Sequence, residues 1–306
     1  MFTLAHLSDL HLGPLPLGSA HRHFAFKRAI GVMNWRLNRH RVHSPAVALA
    51  IAADIIRNAP DHVALTGDIV NVAARDEFVA AARWLKAFGT PDWISFVPGN
   101  HDCYVRMAWE HGLHHLEPYM QGDMRVGLTE ETPQIATPFP YVRLRRNVAL
   151  IGLSTGVPQP LHRASGQLGQ IQLESLAQLL WDLRERGYAR VVMIHHPPLP
   201  GLAQPRKALI DAPLLRDVLE EQGAELVLHG HNHEHMLNTF NSRFGAVHVL
   251  GVPSASVIAD EHHPVAAWNL YRIQRQAGKW QIDVSIRSYD PASRQIAPLT
   301  EFALSS

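Results

Sequence analysis

Five short polar segments carry side chains able to do chemistry: Asp9-Leu10-His11, Gly67-Asp68, Gly99-Asn100-His101-Asp102, His195-His196-Pro197 and Gly230-His231-Asn232-His233. Each directly follows an apolar run, where a strand ends and a tight turn, permitted at Gly67 and Gly99, aims side chains into the crevice beyond a sheet. Imidazole nitrogen combined with carboxylate oxygen suits Mn, Fe, Co, Ni or Zn better than Mg or Ca, and one carboxylate can bridge two ions. Two such ions would clamp a phosphate, lower the pKa of a bridging water and deliver hydroxide in line with the leaving oxygen. Taken singly, the segments have plainer readings. Asp68 fits an Asx turn, residues 99–102 a capped helix start, His195-His196 a rigid turn before two prolines, and residues 230–233 a hairpin tip. Their recurrence in order, each at a strand end, favours one shared site.

The chain that must position them is 46% hydrophobic and 18% charged over 306 residues, enough apolar side chain for a sizeable core and too little charge for disorder. One large domain is the expectation, with a motif-bearing core over 1–235 and antiparallel strands over 235–290. A net charge of +1 excludes the broad basic field of a dedicated nucleic-acid binder. The single cysteine, Cys103, excludes a disulfide framework or a thiolate metal cage, whereas 21 histidines supply ligands in excess. Residues 1–6 lack a basic segment leading into an apolar one, so a cytoplasmic location is expected, and the most apolar stretch, 46–56, is far short of a membrane span.

Hydrophobic patterning predicts strands near 2–8, 62–66, 93–97, 141–144, 148–153, 191–194 and 226–228, alternating with helices from Pro45, over 76–88, over 168–186 and over 212–221. A less regular helix is expected over 104–116. The long helix over 168–186 should bury Leu168, Ile171, Leu176, Leu179, Leu180 and Leu183 and end at Gly187. Antiparallel strands are then expected near 235–240, 247–250, 268–273 and 280–288. Two mixed sheets packed face to face with helices outside, a four-layer α/β sandwich, is the simplest architecture that buries all of these.

At the five segments the chain resembles the calcineurin-like metallophosphoesterase superfamily, whose signature runs D-x-H, G-D, G-N-H-D/E, H, then G-H-x-H, and the match spans Asp9 to His233. The resemblance implies a dinuclear centre. Asp9, His11, Asp68 and His233 would hold one metal, and Asp68 as bridge, Asn100, His195 and His231 the second; His195 is favoured over His196. His101 would contact the scissile phosphate or protonate the leaving group, and Asp102 would either orient His101 or cap a helix. Within the superfamily, residues 67–71 and the His195-His196-Pro197-Pro198 turn look most like the bacterial cyclic-nucleotide phosphodiesterase and glycerophosphodiesterase branch.

The expected activity is therefore hydrolysis of a small phosphodiester by a metal-bridging hydroxide, with Asn71, Arg206 and Lys207 as candidate substrate-binding residues. His162 and Arg163 have the same ambiguity between substrate contact and a solvated loop. Two alternatives stand beside it. The segment 21–43 interleaves Arg22, Lys27, Arg28, Arg36, Arg39 and Arg41 with Phe24, Phe26 and Trp35, a composition that suits peripheral contact with anionic lipid and a phospholipase C-like activity, or else a helix with aromatics on the core and charges in water. A non-catalytic metal-binding scaffold is the other, disfavoured by the intact His101.

Overall fold

The computed structural model of the chain describes residues 1–15, 26–123, 139–258 and 264–305. In chain order its strands are β1 (Phe2–Leu7), β2 (His62–Leu65), β3 (Ile94–Phe96), β4 (Tyr141–Arg145), β5 (Val148–Gly152), β6 (Ala189–Met193), β7 (Leu226–His229), β8 (Met236–Ser242), β9 (Gly245–Gly251), β10 (Ala267–Gln276), β11 (Lys279–Asp290) and β12 (Gln295–Ser305). The helices are α1 (Phe26–Asn34), α2 (His40–Val42), α3 (Pro45–Asn58), α4 (Arg75–Phe88), α5 (Gln170–Glu185) and α6 (Ala212–Gln222), with a π-helical turn at Trp35–Arg39.

The strands form two mixed six-stranded sheets, ordered β12-β11-β10-β1-β2-β3 and β4-β5-β6-β7-β9-β8. Period-two alternation shows why the second sheet is covered on both faces. Val148, Leu150, Val191, Met193, Leu226 and Leu228 join the core shared with the first sheet, α3 and α4. Their neighbours Ala149, Ile151, Val192 and Val227 turn the other way onto Leu176 and Leu180 of α5 and Leu215 and Leu219 of α6. The result is an α/β sandwich with helices outside both sheets.

Local sequence sets the helix ends. Ser44 Oγ accepts a 3.4 Å bond from the Val47 amide with Pro45 in the first turn of α3, and Gly187 adopts φ +76° beyond α5. The predicted antiparallel C-terminal strands are divided between the sheets: β8 and β9 extend the second, with β9 running parallel to β7, whereas β10 to β12 extend the first.

Three expectations need correction. Ile171 is 64% exposed, because it falls in the first turn of α5 on the side away from Leu173 and Leu176. The helix expected over 104–116 is instead a pair of 3-10 segments, Trp109–His111 and Leu113–Met120, interrupted at Gly112 and containing Pro118. Strand β12 lies beyond the last predicted strand; Pro298 within it is tolerated because β12 is a sheet edge. Residues 21–25 of the basic-aromatic segment lie outside the described residues.

Candidate metal centre

All five motifs come together at one end of the sandwich, beyond the C-terminal ends of β1, β2, β3, β6 and β7. Backbone bonds lace their loops together. The Asp9 and His11 amides donate to the Gly67 and Asp68 carbonyls at 3.0 and 2.9 Å, and the Gly230 amide to the His195 carbonyl at 3.0 Å. The loops are also tied across the two sheets: His195 Nδ1 donates to the Thr66 carbonyl at 2.7 Å, and the His231 amide to Asp9 Oδ2 at 3.0 Å.

The donor atoms converge in two overlapping groups. His233 Nε2 lies 3.1 Å from Asp9 Oδ1 and 3.4 Å from His11 Nε2, so three donors surround one point. On the other side, His195 Nε2 lies 3.1 Å from Asn100 Oδ1 and 3.4 Å from Asp68 Oδ2. Asp68 Oδ2 is also 4.0 Å from His11 Nε2, which puts that carboxylate between the two groups. The His231 ring packs 5.1 Å from that of His195, and its Nε2 is buried without a hydrogen-bond partner. A buried imidazole nitrogen left unpaired is costly, and a cation would satisfy it.

Tautomers separate His195 from His196. With Nδ1–H committed to Thr66, His195 presents its Nε2 lone pair to the cluster, the usual arrangement of a metal-binding imidazole. His196 has both nitrogens engaged, Nδ1 with Thr155 Oγ1 at 2.7 Å and Nε2 donating to the Ala164 carbonyl at 2.9 Å, although its ring lies near that of His231.

Backbone conformation and close packing account for the glycines. Asp9, His11, Asp68, His231 and His233 all occupy the left-handed region, with φ between 41° and 70°. A Cβ at Gly67, itself at φ +96°, would sit 2.6 Å from His195 Nδ1, and one at Gly230 would strike the Ser8 and Asp9 side chains. Asp102 neither orients His101 nor caps a helix. Its carboxylate accepts from the amides of Asp68, Ile69, Val70 and Gly99 at 2.8 to 3.1 Å, joining the second and third motif loops. Glu77 does the same for the next stretch, accepting from the Asn71, Val72 and Ala74 amides.

Electrostatics follow from burial among like and unlike charges. Burial alone would raise the Asp68 carboxyl, but His195 and His101 outweigh it and hold it well below the usual range. Against its own burial, His195 is pushed up to about 9 by Asp68. His11 and His231 are held well below the ordinary imidazole value by burial, reinforced by neighbouring histidines. Burial, with Asp68 adding to it, pushes Asp102 up to about 7. Burial likewise raises the Cys103 thiol, which makes it a poor nucleophile.

Beside the cluster opens a cleft of about 400 Å³, lined by Ile30, Met33, Trp35 and Leu37 on one side, Val157, Leu161, His162 and Arg163 on the other, and Asn100, His101 and Tyr104 at its floor. His162 and Arg163 thus line the cleft, whereas Arg206 and Lys207 are exposed and lie outside its lining. Asn71 lines the cleft but commits its side-chain amide to the Leu12 carbonyl at 2.9 Å; its own carbonyl accepts from His101 Nδ1 at 2.5 Å. It positions His101 through its backbone. A helix with its aromatics on the core and its charges in water does not describe residues 26–43: Phe26 is 77% exposed, while Lys27, Arg28 and Arg39 turn inward to protein acceptors.

Two residues at the cluster were not singled out from sequence. Arg39 Nη1 donates to His101 Nε2 at 2.8 Å, and the His43 ring packs 4.4 Å from that of His11 with its Nδ1 2.9 Å from Ser256 Oγ. The chain leaves the helix at His43, whose amide donates to the Arg39 carbonyl at 3.0 Å, and no spacing in the sequence marked the pair.

Two mixed sheets with helices outside carry a buried His/Asp cluster at their shared end, and together with the family match that follows they make the chain a metal-dependent hydrolase. The model of the calcineurin-like phosphoesterase family matches residues 2–235, and the chain belongs to that family. A Synechococcus protein described as a probable cyclic nucleotide phosphodiesterase is 25% identical over 240 residues, covering 78% of this chain and 81% of the relative. Among solved structures, a dimetal phosphatase from Danio rerio superposes with a TM-score of 0.63 at 14% identity, covering 98% of both chains. A purple acid phosphatase from yellow lupin gives 0.58 at 11% identity over 99% of this chain and 53% of its own. These structural likenesses establish the fold, and the family implies divalent metal ions.

Proposed function

We propose that the protein is a dinuclear phosphodiesterase acting on a small phosphodiester, a cyclic nucleotide or a glycerophosphodiester. The observation that carries the reading is the place of Asp68 Oδ2, 4.0 Å from His11 Nε2 and 3.4 Å from His195 Nε2, where one carboxylate serves both halves of the cluster. Asp9, His11, Asp68 and His233 would hold one ion, and Asp68, Asn100, His195 and His231 the other. Bound there, two ions of the Mn, Fe or Zn kind would supply an activated water and offset charge on the phosphoryl group.

The chain's own contribution is positional. Asp102 and Glu77 hold the loop after β2 by its amides, so that Asp68 is fixed before any ligand arrives. His101, oriented by the Asn71 carbonyl and stacked on Tyr104, turns Nε2 toward the cleft, from where a proton passes to the leaving oxygen. Burial and then Arg39 push His101 down to about 4, and with its one proton on Nδ1 the neutral ring would first take a proton on Nε2 from solvent water. The diester preference is supported by the Synechococcus relative's description.

The test is Mn-supported hydrolysis of bis-p-nitrophenyl phosphate against the monoester p-nitrophenyl phosphate, with Asp68→Ala as blank. Diester turnover that falls about 10³-fold or more with the substitution is expected, the cost of losing a shared ligand; monoester preference would reassign the enzyme as a phosphatase.

A second reading rests on a separate observation. Met33 and Leu37 line the cleft yet remain 58% and 62% exposed, with Phe26 exposed on the same helical segment, so a substrate with a hydrocarbon part, presented by an anionic membrane, fits the cleft mouth. Co-sedimentation with phosphatidylglycerol vesicles that is lost on Phe26→Ser with Leu37→Ser would favour it, and its absence in the wild type would remove it. Among the described residues no helix is long and apolar enough to cross a membrane.

A further inference from the structure

Arg39 ends the π-helical turn Trp35–Arg39, a local widening of the helix of a kind found often at functional sites. The side chain enters the floor of the cleft beside Asn100 and His101. Its Nη1 makes the contacts to His101, 2.8 Å from Nε2 and 3.1 Å from Nδ1; because Nδ1–H is committed to Asn71, the guanidinium donates to Nε2. Among the described residues no carboxylate pairs with Arg39, and its Nε and Nη2 have no hydrogen-bond acceptor. The other inward-facing cations of the segment differ in this respect: Lys27 is spent on the Tyr104 and Gln159 carbonyls, and Arg28 on those of Val72 and Ala73.

A guanidinium with free donors at the floor of a cleft, one imidazole away from a metal-ligand cluster, has the chemistry of a phosphoryl-oxygen site. The His101 ring lies 4.9 Å from that of His11, so a tetrahedral anion touching the cluster also comes within reach of Arg39. We propose that Arg39 is a phosphoryl-binding, specificity-determining residue lent to the site by the 26–43 segment. It takes a non-bridging oxygen of the ester on the side away from the metal ligands. In doing so it leaves His101 Nε2, which is then free to face the leaving oxygen. The inference rests on the metal-dependent phosphodiesterase reading for the identity of the anion, but its test does not need turnover.

Inorganic phosphate is titrated by calorimetry into the Mn-loaded wild type and Arg39→Ala, with metal content measured on the same samples. Phosphate affinity should fall about 10- to 100-fold, the range for a lost charge-assisted bond, at unchanged metal content, with KM for bis-p-nitrophenyl phosphate rising in parallel. Arg39→Lys should recover only part, since it keeps the charge and loses the fork. A phosphate Kd within twofold of wild type in Arg39→Ala overturns the proposal. Should the alanine variant lose its native circular dichroism, Arg39→Gln is read by the same criterion. Wild-type protein that binds phosphate through Arg39 yet hydrolyses no diester would sink the phosphodiesterase reading alone; an active enzyme whose phosphate affinity ignores the substitution would sink the clamp alone.

Discussion

The floor of the site and the helical cap over it, residues 26–43, are built from opposite uses of charge. In the floor, buried carboxylates are acceptors for backbone amides: Asp102 takes four and Glu77 three, so nearly every amide from Asp68 to Ala74 is held. In the cap, cations are donors to backbone carbonyls, and only Gly31 of α1 is buried. The floor is thus fixed by many mutually dependent bonds, whereas the cap is held by a few long side chains that can let go singly. Segments with little buried apolar contact belong to the low end of local stability, where ligand-responsive elements are drawn.

The largest expected effect falls on the floor. Gly230→Ala would drive a methyl to 2.7 Å from Ser8 Cβ and onto the Asp9 carboxylate, displacing the first motif from the last. Diester hydrolysis should fall about 100-fold while the circular dichroism stays native, as expected when reacting groups move by about an ångström. Retained activity would mean that the floor yields more readily than its packing implies. Asp102→Ala orphans four amides; chemical denaturation should show a loss of about 3 kcal/mol, the scale of removing one partner from a buried hydrogen-bonded network.

Acid should act on the same region. His6 and His196 are pushed down to about 3 and His229 to about 4, all chiefly by burial, from an ordinary 6.5. The folded state therefore favours the neutral rings, and the stability they confer is present above pH 6.5 and lost as pH falls below it. These three groups alone should cost the metal-free protein about 3 kcal/mol between pH 6.5 and 5.5, read from denaturant midpoints at each pH. A flat profile would show that these rings acquire protons without opening the floor.

The smallest effect belongs to the cap. Lys27→Met removes the tie from α1 to the Tyr104 and Gln159 carbonyls and the cation above the Tyr104 ring. Thermal stability should move by under about 1 kcal/mol, as for other half-exposed ties, while KM for the diester rises about threefold at unchanged kcat. A change in kcat instead would join cap and floor into one unit and dissolve the contrast between them.

What could be read from the sequence follows the same division. The convergence of the five motifs at the floor was legible because each follows an apolar run and ends a strand of the two sheets. Asp102 was misjudged although its position was marked: sequence gives adjacency to His101, whereas its partners are the amides of a loop more than thirty residues away. Arg39 and His43 were passed over because a basic-aromatic run reads equally as a solvated helix face, and nothing local tells an inward arginine from an outward one. The sheets were legible wherever strands are buried on both faces. The edge strand β12 was not, since its alternation is broken by Pro298 and most of its side chains face water.

The left-handed backbone at Asp9, His11, Asp68, His231 and His233 restricts which substitutions these five positions accept. Asp, Asn and His enter that conformation several-fold more readily than other side chains, and β-branched residues scarcely at all. Replacement of any of the five by valine, isoleucine or threonine is opposed by the main chain itself. Exchanges among Asp, Asn and His remain open, and these alter charge and ligand hardness while sparing the loop. The site is therefore better suited to exchanging its polar side chains than to losing its shape.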